Sequence, residues 1–259
     1  MSEGNSSSNY TLILTREKFS KLLTMLNLFR DHCSDVDIRH GLMRCKSTDA
    51  RSIIEMDLSS VLEDKDLMMS TMKNKIILLK ALEVDDNVTM EDRNVYIESN
   101  DSNVEFTDQM SKTIFRKPAL KYMENRFCED NEFRGMVKIL EEELLLNYTF
   151  SSYMKKRIST TALALQTESI QFSLNGDTAS ATIQSRDKQN SMLIADSIVL
   201  NRQLEGKTFD IPITTFTLDM VSDITLSAYL PNNSSVCTCK FGMTYFGVPI
   251  NLYHKVKLV

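Results

Sequence analysis

The chain has 259 residues, 42% of them hydrophobic and 25% charged, and a formal net charge of −5. These values are ordinary for a globular protein, exclude a large disordered fraction, and leave enough length for two domains with separate cores. No run of about 18 apolar residues is present to span a membrane, and five irregularly spaced cysteines (Cys33, Cys45, Cys128, Cys237, Cys239) speak for reduced thiols rather than a disulfide framework.

Residues 1–9, MSEGNSSSN, read as a disordered tail with neither the apolar core nor the cleavage pattern of a signal peptide. Tyr10–Thr15 alternates as a strand, and Thr15 is placed to cap a helix beginning at Arg16. In that helix Phe19, Leu22, Leu23, Leu26 and Phe29 recur at helical spacing, leaving Lys18, Lys21 and Thr24 on the other face. Short alternating segments follow around His40-Gly41, then Ile53–Leu58 and Asp66–Met72 as further strands. The spacing predicts a second helix over Lys73–Glu83, with Ile76, Ile77, Leu79 and Leu82 buried and Lys73, Lys75 and Lys80 outside, although IILL also suits a buried strand.

Val88/Met90, Val95/Ile97 and Val104/Phe106 alternate with polar residues, which predicts a three-stranded meander with an acidic outer face. Periodicity is then lost through Pro118, and 110–134 reads as a surface connector, too long for an ordinary loop. The plan then repeats. Leu144–Phe150 is a strand, FSSYMKKRISTTA a helix, and ALALQTESIQFSLNG a hairpin turning at Glu168-Ser169. Thr178–Ser185 is an edge strand, TTFTLDMVS a short helix after Pro212, and DITLSAYL, VCTCKFG and YFGVPINLY a closing meander. The expected organisation is a first domain over 10–109, the connector over 110–134, and a second domain over 135–259.

Charge is segregated. Formal charges are +3 over Arg16–Arg30, +2 over Met72–Glu83, +3 over Thr149–Ala162 and −1 over Ile213–Ser222, so the rest of the chain carries −12. A negative total thus hides a basic helix surface of the kind that meets a polyanion.

No constellation for catalysis is present. GxxxxGK[ST], GxGxxG and GxSxG are all missing, and only His32, His40 and His254 supply imidazoles. His32, Cys33, His40 and Cys45 do not match zinc-finger or ribbon spacing, and Cys237/Cys239 lack a second pair, so no metal and no cofactor is expected. Glu141–Glu143 and Asp85-Asp86 read as solvated charge, and the fifteen methionines as core filler.

A helix, hairpins, second helix and meander, performed twice, resemble the sliding DNA clamps. The likeness is to the tailed-phage clamps, with the proliferating cell nuclear antigen clamps as more distant relatives. It is carried by LLKALEVDDNVTMEDRNVYIESNDSNVEFTD in the first half, and by MKKRISTTALALQTESIQFSLNGDTASATIQS and TFDIPITTFTLDMVSDITLSAYLPNNSSVCTCKFG in the second. It runs from Tyr10 to about Tyr253 and is one of pattern and order. The resemblance implies an α+β DNA-clamp fold: two similar domains, each with antiparallel sheets outside and two short helices inside, in a ring of three subunits. It further implies a non-enzymatic processivity factor that encircles duplex DNA without reading its sequence, tethers a DNA polymerase, and is placed by a clamp loader in the cytoplasm of the host cell.

On that resemblance the DNA-facing residues are Arg16, Lys18, Lys21, Lys73, Lys75, Lys80, Lys155, Lys156 and Arg157. The second helix of the second half, with Asp219 and no lysine, departs from the pattern. Subunit edges are expected at Asn103, Val104, Glu105, Phe106 and Thr107, and at Thr178, Ala179, Ser180, Ala181, Thr182 and Ile183. Phe115, Leu120, Tyr122 and Tyr253 are candidates for a pocket that takes partner peptides, or for residues that pin the connector. A processivity subunit that closes no ring, or a phage structural or protein-interaction module, would share much of this pattern.

Overall fold

Helix α1 (Arg16–Phe29) begins where Thr15 Oγ1 accepts the amide of Lys18 at 3.3 Å, and it buries Phe19, Leu22, Leu23, Met25 and Leu26 on one face. The computed structural model describes residues 9–29, 35–46, 52–70, 72–82, 94–108, 111–119, 123, 127–128, 131, 133, 143–216 and 222–259. The expected strand at Val88/Met90 and the residues Leu120, Tyr122, Asp219, His32 and Cys33 lie outside the described residues, as does the side chain of Phe29. The chain divides into two units, Met1–Ala50 with Ile54–Cys128, and Arg51–Ile53 with Glu129–Val259.

In the first unit, β1 (Tyr10–Thr15), β6 (Asn94–Ser99), β7 (Asn103–Thr107) and β8 (Lys112–Arg116) form an antiparallel sheet in that order. Leu12, Leu14, Ile97, Phe106 and Phe115 face α1, with Phe106 set 6.2 Å from Phe19 and 5.8 Å from Phe115 between ring centroids. A second set of strands, β4 (Ser52–Asp57), β3 (Leu42–Lys46), β2 (Val36–Arg39) and β5 (Leu67–Met69), is accompanied by the single-turn helix α2 (Ser59–Leu62). Helix α3 (Met72–Lys80) packs against α1.

The first domain was expected to end at 109, with 110–134 as connector. Instead Lys112–Arg116 is a full member of the first sheet, paired with β7 from Asn103 opposite Arg116 to Thr107 opposite Lys112, and the Ser111 amide donates to Asp108 Oδ1 at 2.6 Å. Farther on, Cys128 donates its amide to Arg44 at 2.8 Å, and the Arg39 guanidinium sits 4.2 Å from the Phe127 ring centroid. Residues 127–128 are thereby pinned to β3 of the same unit.

The β2–β3 turn is His40-Gly41, both in the left-handed region at φ 51° and 73°. A two-residue loop needs that conformation to match strand twist. A Cβ on Gly41 would also meet the Glu63 carbonyl oxygen at 2.3 Å. Gly41→Ala is therefore expected to lose about 2 kcal/mol or more, read as a lower urea midpoint, whereas a change at Gly206, where nothing lies within 4 Å, meets only the left-handed backbone penalty.

The second unit contains β9 (Leu144–Phe150), β10 (Ser169–Gln184), β11 (Ser191–Pro212), β12 (Ile224–Tyr229), β13 (Val236–Tyr245) and β14 (Val248–Lys257), ordered β10-β11-β9-β12-β13-β14. Its core is a run of aromatic rings: Phe150 meets Phe216 at 4.9 Å and Phe172 at 6.4 Å, Phe172 stacks on Phe209 at 4.9 Å, and Phe216 meets Phe241 at 5.6 Å. His254 is buried between Ser52 Oγ at its Nδ1 and Thr215 Oγ1 at its Nε2, so both ring nitrogens are satisfied by hydroxyls.

Two strands were expected where β10 is one strand of 16 residues, and separate strands near Met192–Leu200 and Lys207–Ile211 where β11 is one of 22. Register shifts between Leu174 and Asn175 and between Gly176 and Thr178 carry β10 through an irregular stretch without ending it. The expected hairpin ALALQTESIQFSLNG is likewise corrected. Its first half continues helix α4 (Ser152–Leu165), since alanine and leucine are strong helix formers, and the helix ends only at Gln166 in the left-handed conformation. Helix α5 (Ile213–Phe216) packs against α4.

Candidate nucleic-acid interface

Each unit therefore presents a pair of packed helices, α1 with α3 and α4 with α5. On α1, Arg16, Lys18 and Lys21 are half-buried along the side opposite the core, and Lys21 lies 3.9 Å from Glu17 one turn earlier. Lys73 and Lys80 are exposed on α3. Lys75 is half-buried, with its ammonium 5.2 Å from the Phe115 ring centroid; burial lowers its pKa, and the neighbouring Asp35 charge works the other way. On α4, Lys156 and Arg157 are exposed.

Lys155 is different. It is fully buried, and its Nζ donates to the Ser222 carbonyl. Three consecutive helical residues, 100° apart, cannot all face out, and Lys155 falls on the stripe of Ile158 and Ala162. Next to it, Asp223 Oδ1 accepts the Ser152 amide at 3.0 Å while Ser151 Oγ accepts that of Met154 at 3.3 Å. Lys155 thus staples α4 to the segment that follows α5. It is removed from the DNA-facing set.

The expected edge Asn103–Thr107 is also corrected. That segment is β7, hydrogen-bonded to β6 on one side and β8 on the other, so it has no open side. The edge beyond it is β8, Lys112–Arg116. Thr178–Ile183 lie on β10, whose only described neighbour is β11. Of the pocket candidates, Phe115 is the core-facing residue of β8, and Tyr253 is buried against Phe133 at 5.6 Å. Neither lines an open site; both pack in the interior of their own units.

The sequence reading also missed exposed aliphatic residues. On α3, Met72, Ile76 and Leu79 form the buried stripe, which leaves Ile77 and Leu78 outside, 59% and 55% exposed. Ile77 had been expected inside. On α4, Leu163 is 83% exposed beside an open cleft of about 500 Å³. The signal was present: a helix cannot bury four consecutive apolar residues on one face.

Among the described residues no group of three or more His, Cys, Asp or Glu side chains is placed to hold a metal ion, and no helix is long and apolar enough to cross a membrane. The remaining chemistry is that of basic helices and open strand edges.

No family model and no curated protein sequence matches the chain. Its structure is similar to that of proliferating cell nuclear antigen from Entamoeba histolytica, with a TM-score of 0.61 and 12% identity over 95% of this chain and 98% of that one. It has the clamp fold. The chain is similar also to A. fulgidus PCNA, determined with the C-terminal region of FEN-1 bound, with a TM-score of 0.60 and 12% identity over 95% of this chain and 98% of that chain. A third similarity is to a chain of the PCNA2–PCNA3 complex from Sulfolobus tokodaii, at 0.58 and 12% over 95% and 99%. Near-full coverage of both chains at such low identity means that the clamp fold here is kept by pattern, with very few of the same residues.

Proposed function

We propose that this chain is the processivity clamp of a replicative DNA polymerase: a homotrimeric ring of the tailed-phage type that encloses duplex DNA and is loaded by an ATP-dependent loader in the host cytoplasm. The observation that carries the reading is the pairing of a clamp fold with cations on the exposed faces of α1, α3 and α4, in a chain whose remainder is strongly acidic. Duplex DNA presents one negative charge per ~1.7 Å of axis, so such helices hold it without reading bases. An acidic exterior disfavours DNA elsewhere. Lysine, a flexible and strongly hydrated point charge, suits a contact that must slide.

The DNA-facing set is Arg16, Lys18, Lys21, Lys73, Lys80, Lys156 and Arg157, with Lys75 at its margin. Ring closure adds the β8 edge of one copy to the β10 edge of the next, which supplies both open edges with a partner. The protein performs no chemistry. It raises polymerase rate by keeping the enzyme at a high effective concentration on its template.

The deciding experiment uses the protein, its loader and nicked circular DNA. After a high-salt wash the protein stays on the circle, and it leaves when the circle is cut once. Loss during the wash would show electrostatic rather than topological retention and end the reading. Light scattering should give three times the 29.6 kDa chain mass.

A further inference from the structure

We infer that the second unit carries a stacking site for unpaired bases, formed by Tyr153 on the exposed face of α4 and Phe246 at the β13–β14 turn, through which the protein distinguishes DNA with a single-stranded arm from continuous duplex. The inference rests on the clamp reading and adds a class of ligand to it.

Helix α4 exposes Tyr153, Lys156, Arg157 and Thr160, which at i, i+3, i+4 and i+7 share one face, while Lys155, Ile158 and Ala162 are buried on the other. Tyr153 is 73% exposed, so its ring is not held there by core packing. Among the described side chains of α1 and α3 no aromatic is exposed. The bases of a duplex are stacked on one another and offer a ring no face, whereas an unpaired base does. One helical turn, about 5.4 Å, separates the ring from the two cations, a distance that a single nucleotide spans from base to phosphate. The helix contains no acidic residue, which suits a polyanion. Aromatic rings beside cations are the means by which proteins hold single strands without reading sequence.

The hairpin tip is a second, independent sign. Tyr245 pairs with Val248 across the two-residue loop Phe246-Gly247, whose φ values are 48° and 78°. Such a loop favours asparagine or glycine at its first position, and left-handed backbone strains a phenylalanine. Burial does not offset that strain, because Phe246 is 55% exposed, with the Tyr245 ring edge-on at 4.5 Å. A bulky aromatic kept exposed in a strained conformation points to a contact. The two rings stand at one end of the unit. Ile224 pairs with Phe150 and Asp223 accepts the Ser152 amide at 3.0 Å, so α4 starts at the beginning of β12. Strand β13 lies opposite β12 as far as Gly242 against Thr225 and runs on past that end to its turn.

The test compares, by fluorescence anisotropy with the full-length chain, a blunt duplex and the same duplex carrying an unpaired thymidine arm. The parent should bind the DNA with the arm about tenfold more tightly. Tyr153→Ala should remove that preference and leave the blunt-duplex affinity and its salt slope unchanged, since the phosphate contacts remain. Tyr153→Phe, which retains a stacking face, should keep it. Phe246→Asn should lower the preference while raising thermal stability, because asparagine is favoured at that turn position. With 5-iodouracil in the arm, photocrosslinking should label Tyr153. A parent without the preference, or a Tyr153→Ala protein that keeps it or weakens both DNAs alike, overturns the inference and leaves the clamp reading intact. Variants with parental DNA binding that lose polymerase stimulation assign the rings to a partner protein and also overturn it. A parent with no salt-sensitive hold on any of these DNAs overturns the clamp reading itself.

Discussion

Reversing Lys18, Lys21, Lys156 and Arg157 to glutamate together is expected to abolish salt-sensitive retention on duplex DNA and to bring polymerase stimulation to background, with fold and oligomeric mass unchanged. The four positions change from +4 to −4 in each subunit, and a ring would multiply that by three. Every phosphate that is no longer neutralised takes about 0.9 from the slope of log affinity against log salt, so the slope as well as the affinity should collapse. None of the four is buried, and the one ion pair described among them, Lys21 with Glu17 at 3.9 Å, is an exposed helix pair of the kind that adds little stability. Fluorescence anisotropy across a salt series, with primer extension on a long template, reads both effects. A variant that binds with the parental slope would place the phosphate contacts elsewhere on the molecule.

Lys155→Glu should behave in the opposite way. A fully buried ammonium donating to the Ser222 carbonyl would be replaced by an acid facing that same oxygen, and breaking a buried charged interaction costs about 3–5 kcal/mol. That is a large share of the roughly 5–15 kcal/mol that holds a typical protein folded. Lys155→Met keeps the aliphatic stem and should lose less, about 1–3 kcal/mol for the carbonyl left without that donor. Lys156→Glu, one residue away, should stay within about 0.5 kcal/mol of the parent. Urea unfolding of the three variants separates them. A stable Lys155→Glu protein that loses only DNA binding would mean that the side chain faces solvent.

Much of this architecture could be read from residue patterns, and the failures have physical causes. Helix α1 was legible because its apolar residues keep a 3.6-residue period behind a threonine cap, and the His40-Gly41 turn because glycine marks left-handed backbone. Strands β12 and β13 of the closing meander followed from simple alternation. Strand β8 was missed because KTIFR alternates for only five residues, in a stretch otherwise without period. It took β7's neighbour to show which strand is the edge. The Ala162–Leu165 error came from reading ALAL as alternation when intrinsic helix preference decides. Lys155 was assigned to the interface with its two neighbours because charge count ignores helical direction.

The irregular stretch in β10 has a consequence for which lengths of chain are tolerated there. Before it the interior residues are even-numbered, Ile170, Phe172 and Leu174; after it they are odd-numbered, Ala179, Ala181 and Ile183. One strand thus changes parity midway. Leu174 and Ala179 stand five positions apart, so removing a single residue around Gly176 would make the spacing even and let the strand alternate without the irregularity, with Ala179, Ala181 and Ile183 still inside. A single-residue deletion is therefore absorbed in the irregular stretch, whereas the same deletion within either regular run, Ile170–Leu174 or Ala179–Ile183, would turn the rest of that run over.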